Sequence, residues 1–259
     1  MYETIQFKNR YAEEPAFVVG NGPSLKNTNL DRIAGNVSFG SNAISLIFSE
    51  TNWRPTVYSC IDSVVLVNRV KDIQLMRMEL PKTQFFFPKQ LFDDSEPPEP
   101  FEVHKLLPPT QNTTYFDSVP YQFTNNAFTA FSPDLGKYLI HGTTVTTTLI
   151  QLAVLMGCNP IYLIGCDTNY RIPPNATMLN PDADRVDKTV VQDADNDPSH
   201  FDPRYFGKGK RWHTPNSHLM IAQYQKVKEA CDHLGFQICN ATPGGKLEVF
   251  PRVSFNSLS

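Results

Sequence analysis

The chain alternates short, continuously apolar runs with longer stretches of helical period, and the apolar runs end on small or polar residues. Ala16-Phe17-Val18-Val19 is the first, halted by Gly20-Asn21-Gly22-Pro23-Ser24-Leu25, which reads as a strand entering a tight turn. Val37-Ser38-Phe39-Gly40-Ser41-Asn42-Ala43 and Thr56-Val57-Tyr58-Ser59-Cys60-Ile61-Asp62 repeat the arrangement. Residues 143–156 have helical length and an apolar stripe through Val145, Leu149, Leu152 and Met156, with Gly157 as the stop. Ile161-Tyr162-Leu163-Ile164 predicts a buried parallel strand ending at Gly165-Cys166-Asp167. A last helix is expected over residues 215–234, followed by Gly235 and a strand at Phe236-Gln237-Ile238-Cys239. Strands alternating with helices predict a single α/β domain over residues 1–259, built on a Rossmann-like, mostly parallel sheet.

Two segments interrupt this regularity. Residues 81–133 are rich in proline and aromatics (Phe85-Phe86-Phe87-Pro88, Pro97-Pro98-Glu99-Pro100), which predicts an irregular insertion of short strands and crossings rather than long helices. Residues 171–211 carry prolines, several aspartates and the basic cluster Lys208, Lys210 and Arg211. A long polar segment between regular elements predicts an active-site lid.

Composition narrows the partners. With 23 basic and 26 acidic side chains, a net charge of −3 and 41% hydrophobic residues, the chain can bury a core but has no bulk positive field for a nucleic-acid backbone or an anionic membrane. No run approaches the roughly 18 apolar residues that span a bilayer, and the first residues lack the layout of a secretory signal, so a cytoplasmic protein with no transmembrane segment is expected. The five cysteines are odd in number and lack C-x-x-C spacing, which argues against a disulfide framework or a structural zinc site.

The chemistry gathers at the strand ends, where a parallel sheet places its ligands. Gly20, Asn21, Gly22 and Ser24 sit at a strand-to-helix turn, where glycines let a ligand approach the backbone and helix N–H groups face a phosphate. The turn is neither a Walker loop nor the dinucleotide G-x-G-x-x-G, since Leu25 stands where the third glycine belongs. Asn42 and Asp62 suit a base edge or ribose hydroxyls, but taken singly each fits the cap of a following helix better. Thr143 and Thr144 open a helix and suit an anionic group or a plain cap. Asp167 ends the most strongly apolar strand and falls on the same edge. His200 and His213 flank the basic lid cluster, and an imidazole can take a proton from an alcohol, although spacing alone makes neither catalytic. Asp182-Ala183-Asp184 and Asp193-Ala194-Asp195 have the form of a Mg²⁺ pair but lie in an acidic loop, where a solvated charge cluster is expected.

Together the glycine turn, Ser41-Asn42, Gly142-Thr143-Thr144-Val145, residues 157–167 and the pre-helix His213 resemble the bacterial CMP-sialic-acid sialyltransferases of variant GT-A fold, over about a third of the chain. The first and central blocks, with the ending Asn240-Ala241-Thr242-Pro243-Gly244-Gly245-Lys246-Leu247-Glu248, also resemble the MptE-like superfamily, which includes 6-hydroxymethylpterin diphosphokinases and domains attached to flagellin-glycosylation factors. The first resemblance implies that Asn21, Gly22, Ser24 and Asn42 hold a CMP moiety, that Thr143, Thr144 and Asp167 contact the donor, and that His213 is the base. It also implies two lid tyrosines that stabilise the departing phosphate. Tyr170 falls one residue from the first; the second has only Tyr205 as a loose counterpart, with Lys208, Lys210 and Arg211 as alternative charge neutralisers.

The activity so implied is a metal-independent, inverting transfer of a nonulosonic acid from a CMP-activated donor to a glycan hydroxyl. It needs no cofactor beyond the donor, and relatives of this type self-associate into homo-oligomers. The second resemblance implies instead an ATP- and Mg²⁺-dependent diphosphokinase. A catalytically inert nucleotide- or glycan-binding module is the third reading.

Overall fold

The computed structural model describes residues 3–93, 95, 98–124, 127–173, 176–179 and 189–258. In chain order its strands are β1 (Ala16–Val19), β2 (Val37–Ser41), β3 (Val57–Ser59), β4 (Gln84–Pro88), β5 (Gln90–Phe92), β6 (Pro100–Glu102), β7 (Thr113–Pro120), β8 (Gln122–Thr124), β9 (Ala127–Thr129), β10 (Tyr138–His141), β11 (Ile161–Ile164), β12 (Thr177–Met178), β13 (Thr189–Val191), β14 (Arg211–His213) and β15 (Ile238–Asn240). The α-helices are α1 (Ser63–Glu79), α2 (Val103–Leu106), α3 (Val145–Leu155) and α4 (Ser217–Leu234).

An eight-stranded sheet in the order β10-β7-β4-β3-β2-β1-β11-β15 organises the molecule, and every neighbouring pair in it is parallel. Parallel strands covered on both faces must be apolar on both faces, which is why the runs show no alternation. In β1, Ala16 and Val18 face one core with α3 and α4, while Phe17 and Val19 face the other with α1 and the short 3-10 turns. Helix α3 is buried along its whole length, as a helix clamped beneath the centre of a sheet must be. Its Gln151, fully buried, accepts from the N–H groups of Ser132 and Ile140 and donates to the Ile140 carbonyl, satisfying main chain beside β10.

The mostly parallel Rossmann-like architecture expected from the sequence is present. Residues 81–133 differ from the expected insertion, because β4 and β7 are members of the sheet, while the β5–β6 and β8–β9 hairpins and α2 lie outside it. The reason is that Phe85, Phe86 and Phe87 are all fully buried, their rings shared between the two cores, so prolines bound the strand at Pro88 without breaking it. From β1 the chain adds strands in one direction as far as β10, then returns to place β11 on the opposite side of β1. The sheet therefore has its switch point between β1 and β11, and a crevice opens at the carboxyl ends there. No helix among the described residues is long and apolar enough to cross a membrane.

Candidate functional site

A cleft of about 740 Å³ lies at this switch point. One wall is the sheet rim: Gly20, Asn21 and Gly22 after β1, Asn42 after β2, Asp62 before α1, His141 at the end of β10, Gly142–Thr146 entering α3, and Gly165–Tyr170 after β11. The facing wall comes from the segment ahead of α4: Ser199, His200, Tyr205, Phe206, Trp212 and His213, with Leu219, Met220 and Tyr224 from α4 itself.

The glycine turn is tied to β11 by Gly20 N–H to the Ile164 carbonyl (2.7 Å) and Gly22 N–H to the Gly165 carbonyl (2.8 Å). A Cβ on Gly22 would stand 1.9 Å from Asp167 Oδ2, so only glycine lets that carboxylate cross the turn. Asp167 accepts from Ser24 Oγ at 2.7 Å and Ser24 N–H at 3.4 Å. Burial holds its carboxyl above the ordinary carboxylate range, against the lowering effect of those Ser24 bonds. The next residue, Thr168, is β-branched yet sits at φ 50°, a conformation that costs energy and is held by its surroundings. Ser24 does not line the cleft; it serves as the partner of Asp167.

Asn21 and Asn42 have their amide nitrogens spent and their carbonyl oxygens unspent. Asn21 Nδ2 donates to the Ser41 carbonyl (3.2 Å) and Oγ (3.1 Å), and Asn42 Nδ2 donates to the Tyr205 hydroxyl (2.9 Å). Asn42 occupies the left-handed region at φ 54°, which asparagine tolerates, and its main-chain carbonyl accepts from the Tyr58 hydroxyl at 2.6 Å. Both Oδ1 atoms are buried without a partner, an arrangement that costs free energy until a donor arrives. The helix-capping alternative does not hold for Asn42, since Ala43 is the N-cap of the following turn. It does hold for Asp62, whose Oδ1 accepts from Val65 N–H at 2.9 Å while the residue also lines the cleft.

Thr143 and Thr144 both line the cleft, but Thr143 is less free than the sequence suggests. Its N–H (2.7 Å) and Oγ1 (2.9 Å) both donate to Gln223 Oε1, while Thr144 is the N-cap of α3. The helix accordingly begins at Val145, two residues later than the pattern predicts. Tyr170 lines the cleft, and burial pushes its phenol up, so it stays a hydroxyl donor. His213 ends β14, three residues before the Asn216 cap of α4, with Nε2 buried and unpartnered.

The basic cluster is a correction. Lys208, Lys210 and Arg211 do not line the cleft, and among the described residues no lysine or arginine does. In the β12-β13-β14 sheet, Arg211 pairs with Val191 at the outer end of β14, and its carbonyl accepts from Asn68 of α1. Lys208 is exposed, its N–H bound to Asp195. Asp193 and Asp195 are exposed away from the cleft, as expected for a solvated cluster, and residues 182–184 lie outside the described ones.

Two residues of the site are absent from the sequence-based candidates: His141, which lines the cleft, and Asp197, the partner of His200. His141 ends an apolar run just before Gly142, the same strand-end signal that marks Asn42 and Asp167, and burial lowers its pKa with Asp62 opposing. The Asp197–His200 pair, with Nδ1 to Oδ2 at 2.8 Å, was signalled by an Asp-x-x-His spacing amid the aromatics of residues 201–212. Tyr205, the loose counterpart of a second lid tyrosine, is in the wall with its hydroxyl on Asn42.

No protein-family model matches the chain, and no curated protein matches it. Among solved structures the fold is similar to MAf glycosyltransferase from Magnetospirillum magneticum AMB-1, at a TM-score of 0.51 and 16% identity, over 100% of this chain and 38% of that one. The chain thus spans 38% of the length of that protein, and the likeness is one of fold.

Proposed function

We propose that the protein is a glycosyltransferase of sialyltransferase type, taking a nonulosonic acid from a CMP-activated donor to a glycan hydroxyl with inversion and without a metal. The observation that carries this reading is convergence: Asn21, Asn42, Asp167, Thr144, Tyr170 and His213, up to 192 positions apart in sequence, line one cleft at the switch point. The likeness in fold to a glycosyltransferase is consistent with it.

In this reading the unspent Oδ1 atoms of Asn21 and Asn42 accept from the nucleoside, whose amino and hydroxyl groups are donors. The amino-terminal turn of α3 faces the phosphate, where the positive end of the helix dipole favours an anion. Tyr170 donates its phenolic proton in a hydrogen bond to the departing phosphate. His213 Nε2 removes the acceptor proton as the new glycosidic bond forms. Holding donor and acceptor in this geometry supplies much of the rate, since the donor carries its own leaving group. A triphosphate is less well served, because no lysine or arginine among the described residues reaches the cleft.

The test is release of CMP from CMP-sialic acid in the presence of a glycan panel, with and without EDTA. Turnover that survives the chelator agrees with the reading. Activity only with ATP and Mg²⁺, or none with any donor while CMP binds, would replace it with the diphosphokinase or the inert module.

A further inference from the structure

His200 is held more rigidly than any role as a loop residue requires. Its Nδ1 lies 2.8 Å from Oδ2 of Asp197, a buried carboxylate that also accepts from the N–H groups of Ser199 (2.8 Å) and Phe206 (3.3 Å). Its ring stacks on Tyr205 with centroids 3.6 Å apart and planes 1° from parallel, and meets the edges of Tyr170 and Phe206. The Tyr205 hydroxyl accepts from Asn42, and Phe201 N–H donates to the Asn21 carbonyl at 3.0 Å, so the imidazole is fixed against the glycine turn. With Nδ1 committed to Asp197, Nε2 is the ring nitrogen left for the cleft that His200 lines.

The charge balance gives this nitrogen a task. Departure of the nucleotide adds negative charge to its phosphate, and no lysine or arginine among the described residues lines the cleft. Of its three histidines, His141 is disfavoured as a cation by burial, and His213 Nε2 has no protein partner, whereas a protonated His200 is balanced by Asp197. The other titratable groups facing the ring are Tyr205 and Tyr170, whose phenols burial keeps neutral, and Asp167, whose charge interacts with it.

We propose that His200, oriented by Asp197 and Tyr205, is the proton donor to the departing nucleotide phosphate. This rests on the glycosyl-transfer reading above and adds a second proton-transfer group to it. As the anomeric C–O bond to phosphate breaks, its electron pair goes to the phosphate oxygen and the proton moves from His200 Nε2 to the phosphate. The acceptor oxygen forms the new bond and its proton goes to His213. One proton is given and one taken per turnover, and exchange with water resets both rings.

The test is calorimetric titration of CMP into the full chain near neutral pH, in buffers of differing ionisation heat, for the wild type and for H200Q, H213Q and D197N. The expected result is proton uptake on binding to the wild type and H213Q, and its loss in H200Q. With CMP-sialic acid, H200Q should lower kcat about a hundredfold or more and lose the high-pH limb of its profile. D197N keeps the shape of the side chain and should lower kcat in the same direction, because the ring loses the carboxylate that orients it. Uptake that persists in H200Q, or a high-pH limb that survives in it, would overturn the assignment of His200 alone. Absence of CMP binding to the wild type would overturn the nucleotide reading and this proposal with it.

Discussion

One wall of the cleft is the carboxyl rim of a parallel sheet; the other is the segment from Ser199 to Asn216 with residues of α4, and different forces hold their side chains in place. On the rim, main-chain hydrogen bonds between β1, β2 and β11 set the positions of Asn21, Asn42 and Asp167, and register does the aligning. On the facing wall there is little sheet. Positions there come from stacked rings (His200 on Tyr205, Phe206 on Trp212), from Asp197 and from Arg69, whose guanidinium donates to the carbonyls of Arg204 and Tyr205. The rim can present unspent acceptors because the sheet fixes them regardless. The facing wall must use its polar groups to hold itself together, which leaves His213 Nε2 and Trp212 Nε1 as its buried unpartnered atoms at the cleft.

Substitutions separate the two walls. The largest effect is expected from His213→Ala, which should lower kcat by about 10²–10⁴ while leaving CMP affinity nearly intact, as measured by steady-state kinetics beside calorimetry. A parallel loss of CMP binding would move His213 from the chemistry to the binding surface. On the rim, Gly22→Ala drives a Cβ into Asp167 and should abolish CMP binding and lower stability by about 1–3 kcal/mol, read by denaturant titration. Retained binding would mean that the turn does not cradle the nucleotide.

A smaller effect is expected from Tyr205→Phe, which removes the acceptor of Asn42 Nδ2 and should cost about 1–3 kcal/mol through the unpaired amide, with weaker CMP binding. Unchanged affinity would show that the two walls are independent. Asp167→Asn probes the buried charge. A carboxylate whose folded pKa is raised binds more protons folded than unfolded, so its contribution to stability falls as pH rises between the unfolded and folded values. The variant should therefore gain in Tm over the wild type at neutral pH and lose that gain as pH falls through the carboxylate range. Least of all, the triple change K208A/K210A/R211A should leave CMP affinity unchanged, because none of the three lines the cleft. A large loss would return the basic cluster to the site.

The same division explains what could be read from the sequence. Strand ends are marked by composition alone: an apolar run that stops on glycine, asparagine or aspartate identifies a position on the rim, and the parallel arrangement then brings Asn21, Asn42 and Asp167 together. The facing wall carries no such period. Tyr205 and His200 meet through a loop whose path depends on Arg69 in α1, 135 residues away in sequence from Arg204, and no local pattern announces that contact. The charge of Lys208, Lys210 and Arg211 was visible, but the direction in which the chain entering β14 turns them was not. The density of prolines concealed β4 and β7 for a related reason, since prolines at a strand's end look the same in sequence as prolines that prevent a strand.

The most direct test of the central claim is a crystal structure of the protein with CMP. The ribose and base should lie against Asn21 and Asn42, with the phosphate between the first turn of α3 and His200 and within reach of Tyr170. A cytidylate seated elsewhere, or a cleft left empty at saturating CMP, would contradict it.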